Sequence, residues 1–310
     1  MTKFAFVFPG QGSQSRGMMD GYADFPIVKD TFVEASDILK QDLWQLVESG
    51  SDAELNATVN TQPVMLTAGV AVYRAWQSRQ GATPSMMAGH SLGEYAALVA
   101  SGSLQFSDAL PLVRFRAECM QQAVPEGVGG IAAILGLDDE AVRSLCMDAA
   151  EGQVLEAVNY NSPGQVVIAG NRAAVERGMV LAKAKGAKRA IMLPMSVPSH
   201  CILLKGAAEQ MRDYLANVAV QAPAIPVLHN ADVQSHSDSA SIRDALVRQL
   251  YSPVRWVETI LEFGKRGITH NVECAPGKVL AGLNKRIDIN QQASAINDAE
   301  ALKLALTVFV

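Results

Sequence analysis

The chain is poor in several features that would settle its class at a glance. Its 310 residues hold only four cysteines, Cys119, Cys146, Cys201 and Cys274, widely scattered and without a C-x-x-C pair. That spacing suits reduced thiols better than a disulfide frame or a zinc site. There is no excess of positive charge: 26 Lys and Arg against 31 Asp and Glu leave a net charge of -5. A nucleic-acid partner, which calls for a basic face, is therefore not expected. No apolar run approaches the ~18 residues of a membrane span. The run Phe4-Ala5-Phe6-Val7-Phe8 is too short for a signal-peptide core, so a cytoplasmic protein without a membrane partner is expected. Internal repeats and low-complexity segments are missing as well. What is present is 49% hydrophobic and 18% charged, an ordinary globular composition with room for two domains or one domain plus an insertion.

The remaining residues are organised around Gly89-His90-Ser91-Leu92-Gly93. Before it, Pro84 breaks the chain and Met86-Met87-Ala88 forms a short apolar run; after it, Glu94 to Ala100 reads as the first turns of a helix. Strand, G-x-S-x-G and helix in that order form the context of a nucleophile elbow. The glycines allow a tight turn, and the helix start offers free N–H groups and a positive dipole end to an oxyanion. Phe4 to Phe8, closed by Pro9-Gly10, reads as a strand buried on both faces. The loop Gly10-Gln11-Gly12-Ser13-Gln14 is neither G-x-G-x-x-G, since Ser15 stands at the third glycine, nor a P-loop. A phosphate cradle is not expected, but a loop at a strand's C-terminal end is where open α/β sheets hold ligands.

Helical patterning is expected over residues 27–47, from Thr61 to Trp76 with Pro63 near its start, and from Ser107 to Met120, which carries Arg114 and Arg116. Pro125 to Gly130 is a glycine-rich crossing into a second unit. There, strands at 130–135, 154–160, 165–169 and 187–193 alternate with helices at 138–150 and 172–185. The order βαββαβ is ferredoxin-like. The expected fold is therefore α/β: an α/β-hydrolase-like large domain from residues 1–124 and 198–310, with a ferredoxin-like small domain, 125–197, inserted. Pockets tend to form at such junctions. The C-terminal part adds helices to about Val218, at 241–250, at 256–265 and near Lys285, a strand-like run at 268–273, and a docked amphipathic end from Ala299 to Val310.

A serine hydroxyl needs a base. Of the five histidines, His90 adjoins Ser91 in a turn that aims it elsewhere. His236 sits in a polar loop, and His229 and His270 end apolar runs as structural histidines would. His200, after Pro198-Ser199 and before a helix, is the best candidate. Asp108, Asp138, Asp139 and Asp148, between Ser91 and His200, stand at helix starts or on helical faces, so a dyad with a non-acidic orienter fits better than a triad. Arg114 and Arg116 point about 200° apart on a helix, so one can face inward. The helix alone favours a salt bridge from that arginine to a glutamate.

Gly10 to Gln14, Gly89 to Tyr95, Asn159 to Gln165, Pro198 to His200 and Gln249-Leu250-Tyr251-Ser252-Pro253-Val254 form an ordered set. On that set the chain resembles the malonyl-CoA:acyl-carrier-protein transacylases of bacterial type II fatty acid synthesis, over nearly its whole length. The resemblance implies a ping-pong reaction through a malonyl ester of Ser91, with His200 as base. It implies an oxyanion hole from the backbone N–H groups of Gln11 and Leu92, Arg116 on the malonyl carboxylate, Gln249 beside the nucleophile, and a main-chain carbonyl near Gln249 orienting the histidine. It further implies malonyl-CoA and acyl carrier protein as partners and no bound metal or cofactor, since the phosphopantetheine belongs to the carrier. Lys185, Lys188, Arg189, Lys285 and Arg286 are candidate contacts for an acidic carrier. Two departures are Ala275 in place of the first glycine of Gly-Pro-Gly and Ala96 in place of a small hydroxyl residue. The alternatives are a serine thioesterase or esterase, an acyltransferase serving a polyketide synthase, and a non-catalytic carrier-binding module.

Overall fold

The computed structural model describes residues 2–125, 127–194 and 197–309. Its strands are β1 (Phe4–Phe8), β2 (Met86–Gly89), β3 (Gly129–Leu135), β4 (Leu155–Ser162), β5 (Gln165–Asn171), β6 (Arg189–Met192), β7 (Val227–Leu228), β8 (His270–Glu273) and β9 (Gln292–Ala295). They form two sheets. One is parallel, in the order β7-β2-β1-β8-β9; the other is antiparallel, in the order β4-β5-β3-β6.

The central strand β1 is buried at every position because both faces of the parallel sheet are covered. Phe4, Phe6 and Phe8 pack on one side with the helices Pro26–Leu39, Thr58–Ser78 and Phe106–Gln122. Ala5 and Val7 alternate to the other side, against Trp256, Ile260 and Phe263 of the helix Trp256–Lys265. The C-terminal helix Ala299–Val308 docks through Leu302 and Ala305, and Phe309 stacks on Phe4 with ring centroids 4.4 Å apart.

The antiparallel sheet is a βαββαβ unit with the helices Asp139–Ala150 and Arg172–Ala184 on one face, around Ile134, Val166 and Ile168. Its other face presents Ile131, Val167 and Ala169 toward Cys201 of the large unit. Backbone bonds from Tyr160 N to Val254 O (3.0 Å) and from Val254 N to Val158 O (2.8 Å) join the units. We propose that the chain divides at 125 and 197. Glu126, Met195 and Ser196, at those crossings, and the termini Met1 and Val310 lie outside the described residues.

The helix Asp52–Asn56 and the strand β9 have no expected counterpart, and three expected elements differ from those observed. The helix expected over 27–47 is two helices, Pro26–Leu39 and Leu43–Ser49. Lys40 adopts a left-handed conformation (φ 53°) and ends the first, and the Asp42 side chain caps the second by accepting from Gln45 N. The helix placed from Thr61 begins at Thr58, which leaves Pro63 in its second turn. In place of one helix to Val218 there is a short 3-10 turn, Ile202–Leu204, followed by the helix Lys205–Leu215.

Candidate active site

Strand β2 ends at Gly89 and the helix Gly93–Ala100 starts four residues later, with Ser91 between them at φ 50°. A non-glycine residue in that region carries about 1–3 kcal/mol of strain, so the surroundings must hold it. They do so closely. A Cβ on Gly89 would lie 1.8 Å from the Gly93 carbonyl carbon, and one on Gly93 would lie 2.0 Å from Phe8 O. The turn is pressed against itself and against β1, and only glycine fits at either position. Ser91 N donates to Asn230 Oδ1 (2.7 Å), while Asn230 Nδ2 donates to Gly89 O (2.7 Å).

Ser91 Oγ is 2.7 Å from His200 Nε2, although 109 positions separate the two in sequence. His200 Nδ1 is 2.7 Å from Gln249 O. A carbonyl oxygen only accepts, so Nδ1 carries the ring proton and the Nε2 lone pair faces the hydroxyl. His200 is buried and itself left-handed, at φ 65°. Burial, and then the nearby Arg116 cation, push its pKa down to about 3. The imidazole is therefore neutral at physiological pH, the state that can take a proton.

Arg116 is 1% exposed. Its guanidinium donates to Gln62 Oε1 (2.8 Å), Gln249 Oε1 (2.9 Å) and Ser91 Oγ (3.2 Å), and lies 5.5 Å from the centre of the Tyr95 ring. Burial pulls its pKa down, but an arginine stays charged under such a shift. The salt bridge to a glutamate that the helix alone favours is not formed: among the described residues no carboxylate lies within 4.0 Å of Arg116. Two neutral amide oxygens hold the cation in place of a carboxylate. Arg114, on the opposite side of the helix, donates to Gln41.

These groups line a cavity of about 150 Å³, walled by Met120, Ile131, Val167 and Leu193 and by the amides of Asn159 and Asn161. Gln11 and Leu92 line it as well, and neither main-chain N–H donates a hydrogen bond among the described residues. His90 lines the cavity too, with Nε2 2.8 Å from Asn161 Oδ1. The other histidines are elsewhere. His229 Nδ1 is 2.7 Å from Glu94 Oε1, and His270 Nδ1 meets Thr269 Oγ1 at 2.9 Å. His236, expected in open solvent, is partly buried and paired with Asp232 at 3.0 Å. Lys185, Lys188, Arg189, Lys285 and Arg286 are all exposed. Lys185 pairs with Asp148, and Arg286 donates across the junction to Gln165 Oε1. No metal-holding cluster of His, Cys, Asp or Glu is found among the described residues.

Three residues of the site have no counterpart in the sequence reading: Gln62, Asn230 and Glu94. A glutamine, an asparagine and an acid at a helix start are common surface residues, and only their complete burial sets these apart. The burial signal is faint in the sequence, where Gln62 and Asn230 each adjoin apolar runs.

Residues 5–301 match the family of the acyl transferase domain. The malonyl CoA-acyl carrier protein transacylase of Salmonella typhimurium is 55% identical over 308 residues, which cover 99% of this chain and 100% of that relative. The chain belongs to the malonyl CoA-acyl carrier protein transacylase family. Among solved structures of this transacylase fold, the acyl-carrier-protein S-malonyltransferase of Burkholderia pseudomallei superposes with a TM-score of 0.97 at 58% identity, over 99% of this chain and 100% of that one. A malonyl-transacylase in complex with a type II polyketide-synthase acyl carrier protein superposes with a TM-score of 0.98 at 50% identity, again over 99% and 100%. The parallel five-stranded sheet with its smaller antiparallel companion is thus the transacylase architecture.

Proposed function

We infer that the chain transfers the malonyl group of malonyl-CoA to the phosphopantetheine thiol of an acyl carrier protein, which supplies the malonyl-carrier for fatty acid synthesis. The observation that carries this reading is the buried Arg116 guanidinium, held by amide oxygens without a carboxylate, within hydrogen-bond reach of the Ser91 hydroxyl. A buried cation with no carboxylate in direct contact is costly, and the free carboxylate of a malonyl group supplies that contact through a bidentate pair.

In the first half-reaction Ser91 Oγ attacks the thioester carbonyl carbon as its proton passes to His200 Nε2. The carbonyl π electrons move onto oxygen, and the N–H groups of Gln11 and Leu92 receive that charge. The tetrahedral intermediate collapses, the C–S bond breaks, and His200 returns the proton to the departing CoA sulfur. In the second half-reaction the carrier thiol gives its proton to His200 and attacks the ester carbonyl. Ser91 Oγ leaves and is reprotonated. The main-chain oxygen of Gln249 keeps the imidazole in the tautomer both halves need, as an aspartate would in a triad. The exposed Lys185, Lys188, Arg189, Lys285 and Arg286 are the proposed contacts for an acidic carrier.

A thioesterase reading is disfavoured by the same guanidinium, because an uncharged acyl chain would leave it without a direct carboxylate partner. Similarity to the transacylase bound to a polyketide-synthase carrier supports a second acceptor, with the chemistry unchanged. No helix of the described residues is long and apolar enough to cross a membrane, and the reading places the enzyme in the cytoplasm. The test is mass spectrometry after mixing with malonyl-CoA. A malonyl adduct on the Ser91 peptide, discharged by holo carrier protein, is expected. An unmodified peptide would rule the reaction out.

A further inference from the structure

Beneath the elbow lies a carboxyl group that the mechanism does not use. Glu94, in the first turn of the helix Gly93–Ala100, is fully buried. Its Oε2 accepts from Asn230 N (2.9 Å) and Gln249 Nε2 (2.8 Å), and its Oε1 from His229 Nδ1 (2.7 Å). Two of these three donors, Asn230 and Gln249, lead back to the site. Asn230 holds the Ser91 N–H, and Gln249 Nε2 holds the Ser91 carbonyl at 3.0 Å. The Gln249 main-chain oxygen orients His200, and its side-chain oxygen takes a hydrogen bond from Arg116.

The amide of Gln249 could be turned either way. Two acceptors, Glu94 Oε2 and Ser91 O, face its NH2 group, and a donor, Arg116, faces its oxygen. Without Glu94, one of the three contacts that fix this orientation, and one of the two on the NH2 group, disappears. A reversed amide would set NH2 against the guanidinium and displace it from the position where it meets a substrate carboxylate. We propose that Glu94 is a positioning residue for acyl-group selection: it orients the Gln249 amide, which in turn holds Arg116 in register with Ser91. The inference rests on the assignment of Arg116 to the malonyl carboxylate.

Reach matters here more than charge. Glu94→Gln keeps an acceptor toward Asn230 and Gln249 and offers an NH2 group toward His229. His229 can then accept at Nδ1 by moving its proton to Nε2, an atom with no hydrogen-bond partner among the described residues. Glu94→Asp keeps the charge, but its shorter side chain withdraws from Gln249. The measurement is the ratio of kcat/KM for malonyl-CoA to that for acetyl-CoA, with holo carrier as acceptor. Active-site concentration cancels from this ratio, so partial unfolding does not move it.

Glu94→Gln is expected to keep the ratio within about twofold, and Glu94→Asp to lower it by about tenfold or more. An unchanged ratio in Glu94→Asp, or an equal fall in both variants, overturns the proposal. If Glu94→Asp yields no folded protein, Glu94→Gln decides: a retained ratio supports the proposal and a tenfold fall overturns it. Wild-type protein that is not malonylated at all would instead refute the functional reading, so the two failures are told apart.

Discussion

In the parallel sheet, β1 and β2 are buried from end to end and run out into the two turns that carry Gln11 and Ser91. In the antiparallel sheet the residues alternate. Ile134, Val166 and Ile168 face their own helices, while Ile131 and Val167 face the cavity. The first sheet delivers reactive groups at its C-terminal edge, and the second delivers an apolar wall and the amides of Asn159 and Asn161. Backbone strain at the cavity falls on Ser91 and His200, both in left-handed conformations, whereas in the antiparallel unit the left-handed Glu151 only ends the helix Asp139–Ala150. A surface that only covers a site can be built from relaxed strands, whereas one that presents a nucleophile and its base needs turns that local preference disfavours.

Three substitutions probe this difference, and the first should have the largest effect. His200→Ala removes the proposed base that meets Ser91 at the end of β2, and rapid-quench measurement of Ser91 acylation should show a loss of roughly 10²–10⁴-fold. A near-normal rate would mean that the reactive groups do not belong to this edge alone.

Next comes Arg116→Ala. Losing a charge-assisted pair worth about 2–3 kcal/mol should cut the preference for malonyl-CoA over acetyl-CoA by roughly 10²-fold. The same variant has a pH signature. As the proposed base His200 must be neutral to act, and burial followed by the Arg116 cation holds its pKa down at about 3. With the cation gone the pKa rises, so protonation should begin to silence acylation at a higher pH than in the wild type. Acylation rates measured across the acid range would reveal it, and an unmoved acid limb would detach Arg116 from the electrostatics of the base.

The smallest effect on chemistry should come from Ile134→Ala, in the helix-packed face of the antiparallel sheet. Denaturant titration should record a loss of about 2–4 kcal/mol from the cavity left behind, with the acylation rate of the folded protein nearly unchanged. A large rate effect would give the cover a share in the chemistry.

Much of the frame is legible in the sequence because it is written locally. Pro84, the apolar run to Ala88 and two glycines announce a strand and a turn, and the βαββαβ rhythm from Gly129 to Met192 is spelled out by alternating strand and helix patterns. What is not local is far less readable. His200 is the best of five histidines on residue chemistry, and only the ordered resemblance joins it to Ser91. Glu94 escapes because an acid in the first turn of a helix reads as a complement to the helix dipole. Its inward direction depends on His229 and Gln249, more than 130 positions away. The edge strand β9, with residues alternately exposed and half-buried, carries no hydrophobic pattern at all. The break at Lys40 is invisible for a similar reason, since lysine gives no warning of a left-handed turn.

An arginine anchored by two glutamine carbamoyl groups does not distinguish an acyl substituent from a free small anion of similar shape. Malonate, succinate or citrate in an assay buffer should therefore compete with the thioester, and turnover measured in such a medium would understate the enzyme.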